Sequence, residues 1–336
     1  MTSKGAPRAA VVGTGAISQV VHVPILAERS DVELALVSDA DAAKARTVAE
    51  RFGVPEVVGP EEALVRDDID AVLLCTPNHL HEDQAVTALE SGKHVFVERP
   101  MALTVEGTER ILAAGRAAGR CLVVGLPHRF RPEVSALRSF VAGGELGRLY
   151  AVRGSWLTRP VPVMRPTWRQ SRDSGGGALM DLGVSALDLC LWVVGYPTIK
   201  RVSAAMTSGD FDVEEAATIM AESDSGIAFT LEVSSRYFAG EDRYYARVMG
   251  SEGSGSLPPL EISRQLGGRP LEVTPRQPTP RGGENPYMNA YRRQIDHFLR
   301  SIAGTAEAPV PEEQAALMRV IQAAYRSAKE GREVAP

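Results

Sequence analysis

Cysteine is scarce. Only Cys75, Cys121 and Cys190 occur in 336 residues, each inside an apolar run and none at motif spacing from another. That excludes a disulfide framework and a zinc-type ligand pattern, and no metal site is expected; the three read as buried, reduced thiols. Long apolar runs are missing too. No segment reaches the ~20 uninterrupted apolar residues of a membrane span, and the polar N-terminal arm (residues 1–7) has no apolar core of signal-peptide length. Positive charge is in deficit: 37 Lys and Arg face 42 Asp and Glu, for a net charge of −5. This argues against a nucleic-acid or membrane-surface role. Lysine is rare, since arginine supplies 32 of the 37 basic residues, so a single arginine carries little information. What remains, 44% hydrophobic and 24% charged, is the composition of a globular cytoplasmic protein, and the length exceeds what one core usually fills.

The stretch 9–21 (AAVVGTGAISQVV) organises the rest. A β-branched run meets Gly13-Thr14-Gly15, and a helix-like segment follows from Ala16 and Ile17. A strand, a glycine turn and a helix N-terminus gather backbone N–H groups at one spot suited to a pyrophosphate. Gly13 would make the tight turn and Gly15 would admit the phosphates, while Ser18 replaces the third glycine of the dinucleotide fingerprint. Residues 32–38 then read as a strand ending at Asp39. A carboxylate there accepts from the adenosine ribose and repels a 2′-phosphate, favouring NAD(H). Its other reading is the N-cap of a helix over 40–52. Lys44 and Arg46 nearby keep NADP(H) open.

Further strands are expected at 69–75, 93–97 and 121–125, alternating with helices at 60–68, 79–91 and 104–119. Over about 125 residues this predicts a doubly wound parallel sheet. Thr76-Pro77-Asn78-His79-Leu80-His81 and Glu98-Arg99-Pro100 follow strand ends, where ligands sit in such sheets. The second part reads as helices at 132–143 and 175–194 and strands at 149–157, 198–206, 216–221, 227–234 and 244–249, with a meander implied. Residues 251–283, rich in Gly, Pro and Ser, read as a long loop or irregular edge, and 287–303 and 311–331 as closing helices.

The runs GTGAIS, SDAD, TPNHLHEDQAVTALESGKHVFVERP, LPHRFRPEVSALRSFVAGGELGRLYAVRG, GGGALMDLGVSALDLCLWVVG and PEEQAALMRVIQAAYRSAKEGR, in that order, resemble the glucose-fructose oxidoreductase/inositol dehydrogenase/MocA family. The resemblance implies an α/β Rossmann domain over 1–127 and an α+β domain over 128–336. The second would be built on a large, mostly antiparallel sheet that carries the substrate site and an oligomer interface, making a dimer or tetramer. The last helix would pack back on the first domain. It further implies NAD(P)-dependent hydride transfer to or from a small oxygenated molecule: a sugar, nucleotide sugar, cyclitol, or keto or imine compound. Gly13, Thr14, Gly15, Ala16, Ile17, Asp39, Thr76, Pro77, Asn78, His81, Glu98, Arg99, Trp168 and Arg169 are the expected cofactor contacts.

Such proteins usually carry Glu-Lys-Pro and Asp-x-x-x-His, whose lysine and histidine handle the substrate proton. Here Arg99 stands at the lysine position and Ser185 at the histidine position, while Asp181 matches the aspartate. Arginine does not titrate in proteins, so Arg99 can hold a carbonyl or a developing alkoxide but cannot act as an ordinary acid or base. The changes weigh more against alcohol oxidation than against reduction, and reduction is favoured. Replacement acids are sought among His128, His79, Asp181, Tyr237, Tyr244 and Tyr245, with Arg99, Asp181, Ser185 and His128 taken as the catalytic set. His22 reads as a helix-packing residue. Between Arg129 and Arg172 lie nine arginines and two glutamates, an excess that could bind an anionic substrate. His79, Arg129, Trp168 and Tyr237 are the expected substrate contacts. The altered pair also admits other readings: a cofactor-binding partner of another enzyme without turnover, or an enzyme using NAD for elimination or epimerisation.

Overall fold

The structure, a computed structural model, describes residues 5–161, 167–277 and 285–336. Most of the N-terminal arm, Arg165 of the arginine-rich stretch, and residues 278–283 of the expected loop lie outside the described residues. The chain divides into two compact units, one running to Pro127 with Met288–Glu312, the other His128–Tyr287 with Glu313–Pro336.

In the first unit, short apolar runs alternate with capped helices. The elements are β1 (Arg8–Val12), α1 (Val23–Ala27), β2 (Glu33–Ser38), α2 (Ala42–Phe52), β3 (Glu56–Val58), α3 (Pro60–Val65), β4 (Ala71–Leu74), α4 (His81–Glu90), β5 (His94–Glu98), α5 (Val105–Ala118) and β6 (Leu122–Gly125). The helices stop where the chemistry says they should. Asp41 caps α2 through the N–H groups of Ala43 and Lys44, Thr104 caps α5, and Gly53 and Gly119 end those helices in the left-handed region. The six strands pair in parallel in the order β3-β2-β1-β4-β5-β6. The order reverses between β1 and β4, which opens a crevice at their carboxyl ends.

The second unit holds α6 (Pro132–Ala142), β7 (Leu149–Leu157), α7 (Val184–Val193), β8 (Ile199–Ser208), β9 (Glu214–Ser223), β10 (Ala228–Ser234), β11 (Arg243–Gly250), β12 (Gly253–Leu257), β13 (Glu261–Leu266) and β14 (Arg269–Glu272). Its sheet runs β14-β13-β12-β11-β7-β10-β9-β8 and is antiparallel except for the β7–β10 pair. The expected meander is therefore split, with β7 inserted between two runs of hairpins. Much of 251–283 is strand rather than loop, which corrects the sequence reading. Glycine and serine have little strand propensity, but here tight packing requires them. A Cβ on Gly253 would lie 2.6 Å from the Ser263 carbonyl oxygen, and one on Gly255 would collide with Leu137. Gly267 and Gly268, both at positive φ, make the two-residue turn between β13 and β14.

One other expectation needs correction. The helix expected from residue 175 starts later, with a π-helical turn over Leu179–Gly183 leading into α7, because Gly175 and Gly177 have positive φ. The last helix, α9 (Glu313–Glu330), belongs to the second unit, where it lies against β8 and α7. The helix that belongs to the first unit is the one before it, α8 (Pro286–Ile302), from Met288 onward. There Gln294 donates to the Val124 carbonyl at 2.6 Å, and Phe298 and Tyr291 meet Phe96 and His22 edge-on.

Candidate functional site

At the end of β1 the chain turns through Gly13, whose φ of +94° suits only glycine. A Cβ there would sit 2.6 Å from the Cys75 carbonyl carbon, so the turn lies directly against the end of β4. Gly15 is different: nothing lies within 4 Å of where its Cβ would be, so this side of the turn is open. The helix begins at Ala16 and Ile17, passes through a π-turn (Ser18–His22) and continues into α1. Ser18 is buried and its hydroxyl donates to the Gly13 carbonyl. Asp39 meets this turn directly. One carboxylate oxygen accepts from the Thr14 N–H (2.7 Å), the Thr14 hydroxyl (2.8 Å) and the Lys44 ammonium (2.7 Å), the other from the Asp41 N–H (3.0 Å). Burial alone would raise its pKa; Lys44 and these donors outweigh it and hold Asp39 below the ordinary aspartate value. The N-cap reading falls to Asp41. A dinucleotide fits this end by its open Gly15 face, its helix N-terminus and its acidic strand end.

The ends of β4 and β5 are tied together by His81. Fully buried, its ring nitrogens lie 2.7 Å from the Pro100 carbonyl and 2.9 Å from the Thr76 carbonyl. Burial lowers its pKa. Thr76 donates to Gln84 at 2.6 Å, Pro77 and Asn78 lead into a 3₁₀ turn (Asn78–Leu80) with Asn78 buried, and His79 is exposed. Glu98, next to Arg99, accepts from His22 at 2.6 Å. Burial pushes the Glu98 carboxyl up, but His22 and the nearby cations hold it below the ordinary value. This buried pair was not legible, since 76 residues separate its members. Its members were read separately, His22 as a helix-packing residue and Glu98 as a cofactor contact.

In the second unit, a 3₁₀ turn (Trp168–Gln170) is closed by a capping box between Thr167 and Gln170. Arg169 lies over the Trp168 ring at 4.4 Å and donates to Asp181 at 3.0 Å. Asp181 sits in the π-turn, which is held at its start by Glu214: this carboxylate accepts from the Leu179 N–H (2.8 Å) and the Tyr325 hydroxyl (2.9 Å). Its oxygens occupy the space a Cβ on Gly177 would need. Burial raises the Glu214 pKa against these bonds. Arg169, Asp181 and Glu214 share the wall of a cavity of about 1000 Å³ with Arg159, Asp210 and Arg236. Ser185 is not among the described residues of that wall; its hydroxyl is buried and has no hydrogen-bond partner among the described residues.

Residues 7–126 match the oxidoreductase family described by its NAD-binding Rossmann fold, and residues 138–335 match that family's C-terminal alpha/beta domain. The chain belongs to the Gfo/Idh/MocA oxidoreductase family. It is 31% identical to D-xylose 1-dehydrogenase (NADP(+)) 2 of Haloferax volcanii, over 96% of this chain and 98% of that one. It is 33% identical to D-glucoside 3-dehydrogenase of Escherichia coli, but over 59% of this chain and little more than half (56%) of that protein. Among solved structures, GenD2 from gentamicin A biosynthesis, in complex with NAD, superposes with a TM-score of 0.85 at 27% identity, covering 99% of this chain and 97% of that one.

Against the pattern expected of a Gfo/Idh/MocA protein, several expected contacts lie elsewhere. His128 is 3% exposed, stacked on Tyr244 (4.9 Å) and edge-on to Trp156 (5.2 Å), a packing position in an aromatic cluster rather than that of a solvent-reachable acid. Arg129 is a half-buried cross-link: its guanidinium holds both oxygens of Asp188 and donates to Glu313 at 2.7 Å. Tyr237 is half-buried and donates its N–H to the Thr158 carbonyl, while its neighbours Arg236 and Phe238 line the cavity instead. Among the described residues, several arginines of the 129–172 stretch are engaged by separate partners. Arg131 pairs with Glu133, Arg159 with Asp242 and Arg169 with Asp181, while the Arg172 guanidinium donates to the Asp212 backbone carbonyl and its N–H to the Asp212 carboxylate. Most of these partners lie outside the stretch, so its local charge count overstated what is available. The residues missed were Glu214 and Asp210, in the acidic entry to β9 (SGDFDVEE), a signal present but unread.

Proposed function

We propose that this oxidoreductase moves hydride between a nicotinamide and a carbon of a small sugar-type substrate, with reduction the favoured direction. The carrying observation is the Gly13–Thr14–Asp39 cluster at the point where the strand order reverses. NAD(P)H, when bound, supplies hydride from nicotinamide C4; the remaining tasks belong to the chain. Asp39 accepts from the ribose hydroxyls and disfavours a 2′-phosphate, while Lys44 on the same carboxylate offsets that repulsion, so NADH is preferred and NADPH remains usable. Arg99 keeps its charge at every working pH and steadies the substrate oxygen as negative charge builds on it. Asp181, with Arg169, presents hydrogen-bonding groups to substrate hydroxyls from the cavity wall. Ser185 has no bonded partner to supply a proton, which leaves protonation to solvent.

The named activities of the xylose and glucoside dehydrogenases support the sugar assignment. Exposed Met220 and Tyr245 on the open sheet face support a homo-oligomer, a dimer or tetramer. Three free, buried cysteines support a reducing, cytoplasmic setting.

Titration with NADH and NADPH, read by nicotinamide fluorescence, tests the reading. NADH binds more tightly than NADPH, and Asp39→Ala weakens NADH about tenfold, or ~1.4 kcal/mol. Arg99→Ala leaves NADH affinity within about tenfold but abolishes turnover with any sugar that the unaltered protein reduces or oxidises. Failure of both nucleotides to bind at millimolar concentration overturns it. The replacement of both proton-handling residues by Arg99 and Ser185 favours one rival, a cofactor-binding partner protein. Such a protein would bind NADH yet give no single-turnover change in nicotinamide absorbance with any substrate.

A further inference from the structure

We propose that the cavity of the second unit takes a hydroxylated ligand bearing an ammonium group, selected by the negative charge of Asp210 and Glu214. This rests on the sugar-type reading above and adds the charge of the substrate to it. Among the described residues, the cavity wall carries three arginines and five carboxylates. Each arginine already has its own carboxylate: Arg159 with Asp242 (3.2 Å), Arg169 with Asp181 (3.0 Å) and Arg236 with Glu215 (3.2 Å). Asp210 and Glu214 are left over, a formal excess of two negative charges around about 1000 Å³.

The two differ in a useful way. Asp210 is exposed and can follow a ligand, whereas Glu214 is 5% exposed and fixed. Its two bonded partners, the Leu179 N–H and the Tyr325 hydroxyl, are neutral donors. They hold the carboxylate in place without cancelling its charge, and the Arg172 guanidinium, which donates to the Asp212 backbone carbonyl, offsets that charge only in part. Burial makes that ionised form costly, and a cation brought into the cavity recovers part of the cost. A phosphate or carboxylate group would instead add like charge in a partly desolvated space, where charges interact more strongly than in water. Neutral hydroxyls remain welcome, because the arginine–carboxylate pairs offer both donors and acceptors. The cavity therefore sorts sugars by charge: amine first, neutral next, acidic last.

Calorimetry on NADH-saturated protein with D-glucosamine, N-acetyl-D-glucosamine, D-glucose and D-glucose 6-phosphate tests this. D-glucosamine is expected to bind about fivefold or more tighter than D-glucose at low salt, with the gap closing as salt rises. N-acetylation should bring affinity back to the D-glucose level, and the 6-phosphate should bind more weakly than D-glucose. Asp210→Asn combined with Glu214→Gln should erase the amine preference. If the double variant does not fold, Asp210→Asn alone, at an exposed position, should remove part of it. Equal binding of D-glucosamine and D-glucose, or tightest binding of the 6-phosphate, overturns the proposal while leaving the sugar reading standing. Binding of none of the four overturns both, and NADH titration then shows whether the cofactor assignment survives.

Discussion

Gly13 and Gly177 both sit at positive φ beside a candidate site, one in each unit, and the space beside them is filled by different things. Beside Gly13 it is backbone, the Cys75 carbonyl and Thr76 nitrogen at the end of β4. Beside Gly177 it is the carboxylate of Glu214. The nucleotide end is thus shaped by main chain that every strand of a parallel sheet holds in register. The cavity end is shaped by side chains reaching across from β9 and α9. A turn made of backbone tolerates little; a wall made of buried carboxylates can be retuned by single substitutions and by protons.

Gly13→Ala should break the first arrangement outright. It forces a side chain into the left-handed region and onto immovable backbone, at a combined cost of about 4 kcal/mol. Urea unfolding should show that loss, and NADH binding should disappear with it. At the second site, Glu214→Ala strands the Leu179 N–H and the Tyr325 hydroxyl and should cost about 2–3 kcal/mol. Glu214→Gln keeps an acceptor for both and should cost about 1 kcal/mol or less near neutral pH. The sign of the pH effect sharpens the contrast. Because burial holds the Glu214 carboxyl above its ordinary value, the folded state binds that proton more tightly than the unfolded chain. Its contribution to stability is fully present below the ordinary glutamate pKa and declines as pH rises through the raised value. Midpoints of urea unfolding between pH 4 and 8 should show that decline in the unaltered protein and a flatter profile in Glu214→Gln. An unchanged slope would mean that Glu214 is not the group responsible. The smallest effect is expected at Ser185. Its hydroxyl makes no hydrogen bond, so Ser185→Ala should be neutral or stabilising by up to about 1 kcal/mol, with turnover within about threefold. A larger loss of turnover would restore Ser185 to the mechanism.

The same contrast explains what could be read from the chain alone. In the first unit the signals are local: each strand is one short apolar run and each cap or glycine stop lies at the end of its own helix, so the order of elements and the Gly13–Asp39 relation were legible. Even Asp39's rival role was resolvable in principle, because Asp41 is the better-placed cap. In the second unit the decisive pairs are far apart in sequence. Arg129 finds Asp188 at a separation of 59 residues and Glu313 at 184. Counting charges along a segment therefore overstated the free cations, and the acidic run SGDFDVEE did not by itself show that Glu214 lies beneath the π-turn. The strands β12–β14 escaped because small residues chosen for close packing look like loop residues. Both helices that enter the candidate sites begin with a π-turn, which shifts side-chain register by about one residue and defeats simple i, i+4 reasoning from Asp181 to Ser185.

The assignment of α8 to the first unit and α9 to the second has a bearing on how the protein is made. The α8 side chains that complete the first unit, Tyr291, Gln294 and Phe298, are translated after nearly all of the second unit. On the ribosome the nascent nucleotide-binding half must wait for the rest of the chain with Phe96 and the end of β6 uncovered. Neither half is a continuous stretch of the message, so a gene cut after Pro127 encodes an incomplete unit, and exchanging halves between relatives requires three joints rather than one.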